Sequence, residues 1–399
     1  MVDRSKLRAA SAVVLAGSPQ AALQRGLDQL VDRLAGRLDA LVYFVSGPAG
    51  SAVSGQLAEL LERDMPEAIA IGSVAEGVVG TAQEVEGQSA VSLIGFTGLA
   101  ADRTDAFHLH YESSSDGFVG LPDRLWEQPD AASGLVILAD PYSFPADRFF
   151  QRCREEFPSL PVVGGFASGL TAPKRPGLMV GGKSFREGAV GWLLPPQVKL
   201  APIVSQGCRP VGEPLVVTAV QGPLLVGLGG RPALDQLNDL FRRLPTRDQR
   251  LALEALHVGK VISEYRERFT AGDFLIRNLL GASEDPPGLL VADPPRVGQT
   301  IQFHIRDAET ADADLAQLLA AWRAEHPSSS VVAGLLFTCN GRGSRLFSAP
   351  HHDAAALERY FPGLPLAGMF AAGEFGPIGG HSFVHGFTAV TALLTLSQA

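Results

Sequence analysis

Five consecutive residues, Cys339-Asn340-Gly341-Arg342-Gly343, bring together a thiol, an amide, two glycines and a guanidinium. Glycine reaches backbone angles that turn N–H groups toward an anion, and arginine offers a planar fork that matches a carboxylate or phosphate. Anion binding is the chemistry this stretch predicts, with an ordinary glycine turn and a solvated arginine as the plain alternative. Further along, Gly373-Glu374 carries a carboxylate able to receive a ligand amine or hydroxyl, act as a base, cap a turn or pair with Arg342. Phe370 is the expected wall of such a pocket. Arg277 and Asn278, within Asp273-Phe274-Leu275-Ile276-Arg277-Asn278, either line a pocket or fix a turn.

Other reactive residue types give alternatives. Cys339 activated by a histidine would make a thiol enzyme, and Glu374 an acid–base enzyme, but a cysteine ending a buried strand is more often an inert apolar side chain. No catalytic residue is expected. His381, His385 and the adjacent His351-His352 invite a metal or a haem. Four-residue spacing on a strand does not align two imidazoles as it would on a helix, and no His-Glu-x-x-His occurs. We therefore expect neither metal nor cofactor, with haem on His385, His381 or His352 as the alternative. Gly227-Leu228-Gly229-Gly230-Arg231-Pro232 lacks the Lys-Ser/Thr of a phosphate loop, so its glycines should end a strand before Pro232 opens a helix.

The elements that carry these residues repeat. Phe157-Pro158-Ser159-Leu160-Pro161-Val162-Val163-Gly164-Gly165-Phe166-Ala167-Ser168-Gly169 returns as Phe361-Pro362-Gly363-Leu364-Pro365-Leu366-Ala367-Gly368-Met369-Phe370-Ala371-Ala372-Gly373, with eight positions identical. Upstream, Phe107-His108-Leu109 and Leu135–Ala139 are answered by Phe303-His304-Ile305 and Val331–Phe337; downstream, Ser184-Phe185 is answered by Ser382-Phe383. In each copy a buried strand precedes a short helix, Asp147–Glu156 or Asp353–Tyr360, stopped by Phe-Pro-x-Leu-Pro. Apolar runs at Gly188–Leu194 and Phe387–Leu394 close the copies as strands. Helices are also expected at Gln20–Leu38, Ser51–Arg63, Ala233–Leu244, Thr246–His257 and Ala311–Glu325, and an exposed loop at Glu284–Pro295. This predicts an α/β fold of two tandem, internally repeated, layered units related by a pseudo-twofold duplication, with domains at 1–196 and 212–399.

Composition fits a folded globular chain: 399 residues, 46% hydrophobic and 19% charged. A net charge of −9 argues against nucleic acid or an anionic membrane as partner. No apolar run reaches the roughly 18 residues a bilayer needs. Arg4, Lys6 and Arg8 ahead of an apolar stretch hint at a leader, but the helical spacing that follows favours a first strand and helix, and a cytoplasmic protein. Three dispersed cysteines indicate neither disulfides nor a zinc site.

Taken together, Gln206-Gly207-Cys208-Arg209-Pro210-Val211-Gly212, Asp273–Asn278, Leu336–Gly343, Pro365–Gly368, Gly373-Glu374-Phe375-Gly376-Pro377 and Phe383-Val384-His385-Gly386-Phe387-Thr388 resemble the signature of FIST-domain proteins, in the right order along nearly the whole chain. The resemblance implies an intracellular sensory module for small ligands, amino acids being the usual proposal, found alone, with bacterial signalling domains or behind an F-box. Some members resemble haem-binding nitric-oxide sensors. Here Phe375 stands where isoleucine is commoner, and no F-box or transmitter segment fits before Ala10 or after Leu396, so a separate signalling protein is implied. The expected ligand site comprises Cys339, Asn340, Gly341, Arg342, Gly343, Phe370, Gly373, Glu374, His385, Arg277 and Asn278.

Overall fold

The computed structural model describes residues 7–48, 50–99, 104–128, 132–266 and 268–396; Arg4 and Lys6 lie outside them. These residues form two compact units, one drawn from Met1–Ser205, Ala316–Val384 and Thr388–Ala399, the other from Gln206–Leu315 and His385–Phe387.

The first unit begins with β1 (Arg8–Leu15), α1 (Pro19–Leu34), β2 (Ala40–Ser46), α2 (Gly50–Asp64) and β3 (Ile69–Ala75), then the hairpin β4 (Gly77–Gly80) and β5 (Gln83–Glu86), then β6 (Ala90–Thr97). Ser18 caps α1 by accepting from the Ala21 N–H, Pro19 sits in its first turn, and Leu23, Leu27, Leu30 and Leu34 form its buried stripe. The order then recurs with β7 (Asp105–Glu112), β8 (Gly117–Val119), α3 (Asp123–Glu127), β9 (Leu135–Ala139), α4 (Ala146–Glu156), β10 (Val162–Phe166), the hairpin β11 (Leu178–Val180) and β12 (Lys183–Phe185), and β13 (Ala189–Leu193). β14 (Val198–Ser205) opens a third run.

That run is interrupted by the second unit: β15 (Cys208–Gln221), β16 (Leu224–Leu228), β17 (Arg231–Pro232), α5 (Ala233–Arg243), α6 (Thr246–Ala255), β18 (Leu256–Val261), β19 (Phe274–Glu284), β20 (Pro287–Val291) and β21 (Thr300–Arg306). The strands join in the order β15-β21-β18-β19-β20-β16-β17, and a further pairing of β15 with β16 brings the sheet back on itself. Two expectations are corrected here. Glu284–Pro295 is not a loop, because Leu289 and Val291 are wholly buried in β20, which pairs with both β19 and β16. The helix expected over Thr246–His257 ends at Ala255, where Leu256 and His257 enter the antiparallel ladder with β21.

The third run resumes with α7 (Ala308–Glu325), β22 (Val331–Cys339), α8 (His352–Tyr360), β23 (Leu366–Ala371), the hairpin β24 (Glu374–Ile378) and β25 (His381–His385), and β26 (Ala389–Leu396). The fold is thus mixed α/β in two tandem parts with similar element order, as expected. The order also occurs earlier: Gly72-Ser73-Val74-Ala75-Glu76-Gly77 stands in β3 and its exit as Gly164–Gly169 and Gly368–Gly373 stand in β10 and β23 and theirs.

Three sheets result, in the orders β1-β6-β2-β3-β11-β12, β25-β24-β10-β9-β13-β7-β8 and β14-β26-β22-β23-β4-β5. Each is built around one parallel pair, β2 with β3, β9 with β10 and β22 with β23. The hairpins are exchanged: β4–β5 extends the sheet of β23, β11–β12 that of β3, and β24–β25 that of β10. Gly164 and Gly368 allow the parallel pairs to close, since a Cβ there would meet the carbonyl oxygens of Ile137 and Leu336 at 1.8 and 2.1 Å.

Candidate functional site

β22 delivers Thr338 and Cys339 to the carboxyl end of a parallel pair, where α/β sheets expose ligand-binding loops. The chain then turns tightly. The Arg342 N–H donates to the Cys339 carbonyl at 2.8 Å, the Asn340 N–H to the Ala371 carbonyl at 3.0 Å, and Gly343 takes φ +57°. A Cβ on Gly343 would lie 2.6 Å from Glu86 and 2.7 Å from the Phe370 ring, so only glycine fits.

Arg342 points inward. It is wholly buried and donates through Nε and Nη2 to both oxygens of Asp353, each at 2.8 Å, while Asp353 also accepts from Thr338 Oγ1 at 2.6 Å. Burial alone would raise the Asp353 carboxyl, but the Arg342 charge and the hydrogen bonds from Arg342, His352 and Thr338 hold it well below the usual range. Glu84 of β5 caps α8, accepting from the Asp353 and Ala354 N–H groups at 2.9 and 3.0 Å. Burial, and then the nearby Asp353 charge, push Glu84 up to about 7 against those two hydrogen bonds. The role expected for Arg342 is corrected accordingly: its fork is occupied by Asp353, and it braces the loop from beneath.

Above this layer lies a cleft of about 290 Å³ lined by Asn340, Ser344, Arg345 and Phe370 together with Glu76 and Glu86 from the exchanged hairpin region. Glu86 accepts from the Ser344 N–H and hydroxyl, both at 2.9 Å. Arg345 pairs with Glu76 and donates to the Asn340 carbonyl at 2.9 Å. The Asn340 Oδ1 atom is buried and has no partner among the described residues.

The expected site residues therefore separate. Asn340 and Phe370 line the cleft and Gly343 packs beside it, while Cys339 and Gly341 are half-buried in the same turn. Glu374 is wholly buried and accepts from the Thr388 N–H and hydroxyl at 3.1 and 2.6 Å; its charge is felt by Arg342, but neither residue lines the cleft. Gly373 gives its carbonyl to the Phe166 N–H at 2.8 Å. Arg277 lies in the second unit bonded to Asp293 at 2.8 Å, Asn278 is exposed on β19, and His385 is buried. Sequence reasoning missed Arg345, two residues past Gly343, as well as Glu76 and Glu86.

For a haem, the surroundings of His352 and His381 are unfavourable. His352 lies flat on Phe347, with ring centroids 3.4 Å apart, and bonds Asp353 at 2.9 Å through Nδ1. The hollow lined by His381 holds only about 10 Å³, far below a macrocycle. Among the described residues no group of three or more His, Cys, Asp or Glu is placed to hold a metal ion, and no helix is long and apolar enough to cross a membrane.

Comparison with known proteins agrees along the chain. The FIST N domain matches residues 39–231 and the FIST C domain residues 233–377. An uncharacterised protein of Mycobacterium tuberculosis is 37% identical over 362 residues, covering 91% of this chain and 93% of its own length. Another, of Mycobacterium bovis, is 36% identical over 366 residues, covering 92% and 93%. F-box only protein 22 of Homo sapiens is 37% identical over 73 residues, covering 18% of this chain and 17% of its own. With both halves of the domain matched in order, the chain belongs to the FIST family of small-ligand sensory domains.

Proposed function

We propose that the cleft binds a small zwitterion, an amino acid or a close relative, and that its occupancy is read by a separate partner protein in the cytoplasm. The reading rests on one observation above all: charges of both signs, an unpartnered amide oxygen and an aromatic wall converge on one cleft of about 290 Å³. The ligand carboxylate would take the Arg345 fork, its ammonium would meet Glu76 and Asn340 Oδ1, and its side chain would lie against Phe370. Arg345 must first release Glu76, which costs little, because an exposed ion pair is worth about 0–1 kcal/mol. Ligand entry thus replaces a direct bond between the loop after β22 and the exit of β3 with a bridged one, and a partner can sense that change.

The test is thermal denaturation of the full chain with a panel of amino acids and related metabolites. A ligand at a hundred times its Kd adds about 2.7 kcal/mol of stability. Arg345→Ala should abolish the gain. A panel without any stabilising compound would end this reading.

A further inference from the structure

The second unit carries a polar sheet face that the cleft does not use. Across β19, β18, β21 and β15 the register places Asn278, His257, His304 and Pro210 in one row, with Arg306 and Cys208 in the next on the same face. The opposite face supplies Val258, Phe303 and Ile305 to the apolar core. The polar row runs from open to closed: Asn278 is exposed, His257 is 6% exposed and His304 is wholly buried.

Three imidazole nitrogens on this face have no hydrogen-bond partner among the described residues: Nδ1 and Nε2 of His257 and Nε2 of His304. His304 Nδ1 lies 3.1 Å from the Gln302 carbonyl, which fixes its proton there and leaves Nε2 as a bare acceptor. Gly259 makes room for this ring, since a Cβ would stand 2.4 Å from His304 Cε1. Burial lowers both histidines, to about 4, with the Arg306 and His304 charges adding to the effect at His257, so both are neutral at physiological pH. His257 therefore offers one donor and one acceptor, and His304 one acceptor. Leaving such groups buried and unanswered is costly.

Phe387 adds an independent sign. Its backbone is held at φ +67°, a region that bulky residues rarely occupy and that tends to mark functional sites. In this conformation its ring lies 4.0 Å from that of His257, and the Arg306 guanidinium carbon sits 5.2 Å from its centroid. The face thus combines a cation, an aromatic plate, one neutral N–H donor and two bare acceptors. An ammonium is repelled by Arg306, whereas a hydroxyl can satisfy an acceptor without charge.

We propose that this face is a second binding site, for a small hydroxycarboxylate whose hydroxyl donates to His304 Nε2 and whose carboxylate meets the His257 N–H and Arg306. The test is titration of the full chain with L-lactate, following the imidazole nitrogen signals of His257 and His304 by NMR, with acetate and L-alanine as controls that lack the hydroxyl or carry an ammonium in its place. Saturating shifts with lactate are expected, at an affinity at least about tenfold above either control, since a site built to pair a hydroxyl rejects analogues without it. His304→Phe should weaken lactate by a similar factor, and Arg345→Ala should leave the response intact while removing binding at the cleft. If lactate moves neither imidazole at millimolar concentration, or if acetate matches it, the proposal is overturned. Both outcomes are read on the unaltered chain and do not depend on the folding of any variant.

Discussion

The turns that follow β9 and β22 occupy equivalent places and are finished in opposite ways. After β9, Asp140 uses its carboxylate within its own turn, accepting from the Tyr142 N–H at 3.0 Å and the Ser143 hydroxyl at 2.7 Å. Phe166 is covered by the ring of Phe375 at 4.7 Å, and Phe375 packs in turn on Phe150 at 5.3 Å. After β22, the residue equivalent to Phe166 is Phe370, which borders an open cleft, and the acid beneath it is Asp353, paired to a buried arginine. One scaffold position is filled with aromatic carbon; the other is kept open, with a buried ion pair holding the loop from below. An open cleft on this framework comes from withholding the plug and stiffening what remains.

The largest test of that contrast compares the two acids. Asp353→Ala leaves the Arg342 charge buried and unpaired and should cost about 3–5 kcal/mol in urea denaturation, whereas Asp140→Ala removes turn hydrogen bonds worth about 1–2 kcal/mol. Equal losses would break the comparison. Among the aromatics, Phe375→Ala should also cost about 3–5 kcal/mol through the cavity it leaves. Phe370→Ala should fall at or below the low end of that range, because its ring already borders open space, but should remove ligand binding.

Acid strength gives the next effect. Glu84 ordinarily ionises near 4.5 and in the folded chain near 7, so between those values the native state holds a proton that the unfolded chain has released. Stability contributed by Glu84 is therefore full below pH 4.5 and is lost as pH rises toward 7. At about 1.4 kcal/mol per pH unit the change is on the order of 3 kcal/mol. Glu84→Gln should flatten the dependence of Tm on pH across this window. Asp353 has the opposite sign, its stabilisation being lost as acid protonates it below the normal aspartate range. The smallest effect belongs to Arg345→Ala, which should shift stability by no more than about 1 kcal/mol while abolishing the ligand response.

Much of the architecture was legible because buried parallel strands read as unbroken apolar runs and Phe-Pro-x-Leu-Pro marks the helix stops at Phe157 and Phe361. The earlier run around Gly72–Gly77 is harder to see because, of Phe-Pro-x-Leu-Pro, it keeps only Pro66 just after α2, and its Gly-x-Val-Ala-x-Gly lacks the phenylalanine of the other two. β20 was hidden by flanking prolines that read as loop. Glycine spacing and the repeat single out Asn340, Gly343 and Phe370, which lie at or beside the cleft. Arg342 reads as pointing outward because nothing local shows that Asp353, at the start of the next helix, draws it in. Glu76 and Glu86 reach the cleft only through hairpin exchange, a long-range pairing that no periodicity encodes.

That exchange ties distant stretches of chain into common sheets. Ser73 Oγ lies 3.2 Å from Met369 Sδ across 296 residues of sequence, and Val78 pairs with Met369 in the same region. Two of the three β-layers of the first unit, those built on β10 and β23, cannot be finished until residues beyond Glu374 have left the ribosome, whereas the layer from β1 to β12 is complete at Phe185. A nascent chain halted midway therefore presents raw strand edges of the kind that recruit other chains. A protein wired this way should mature slowly and late, and should tolerate amputation at either end poorly, even where the severed piece touches no ligand.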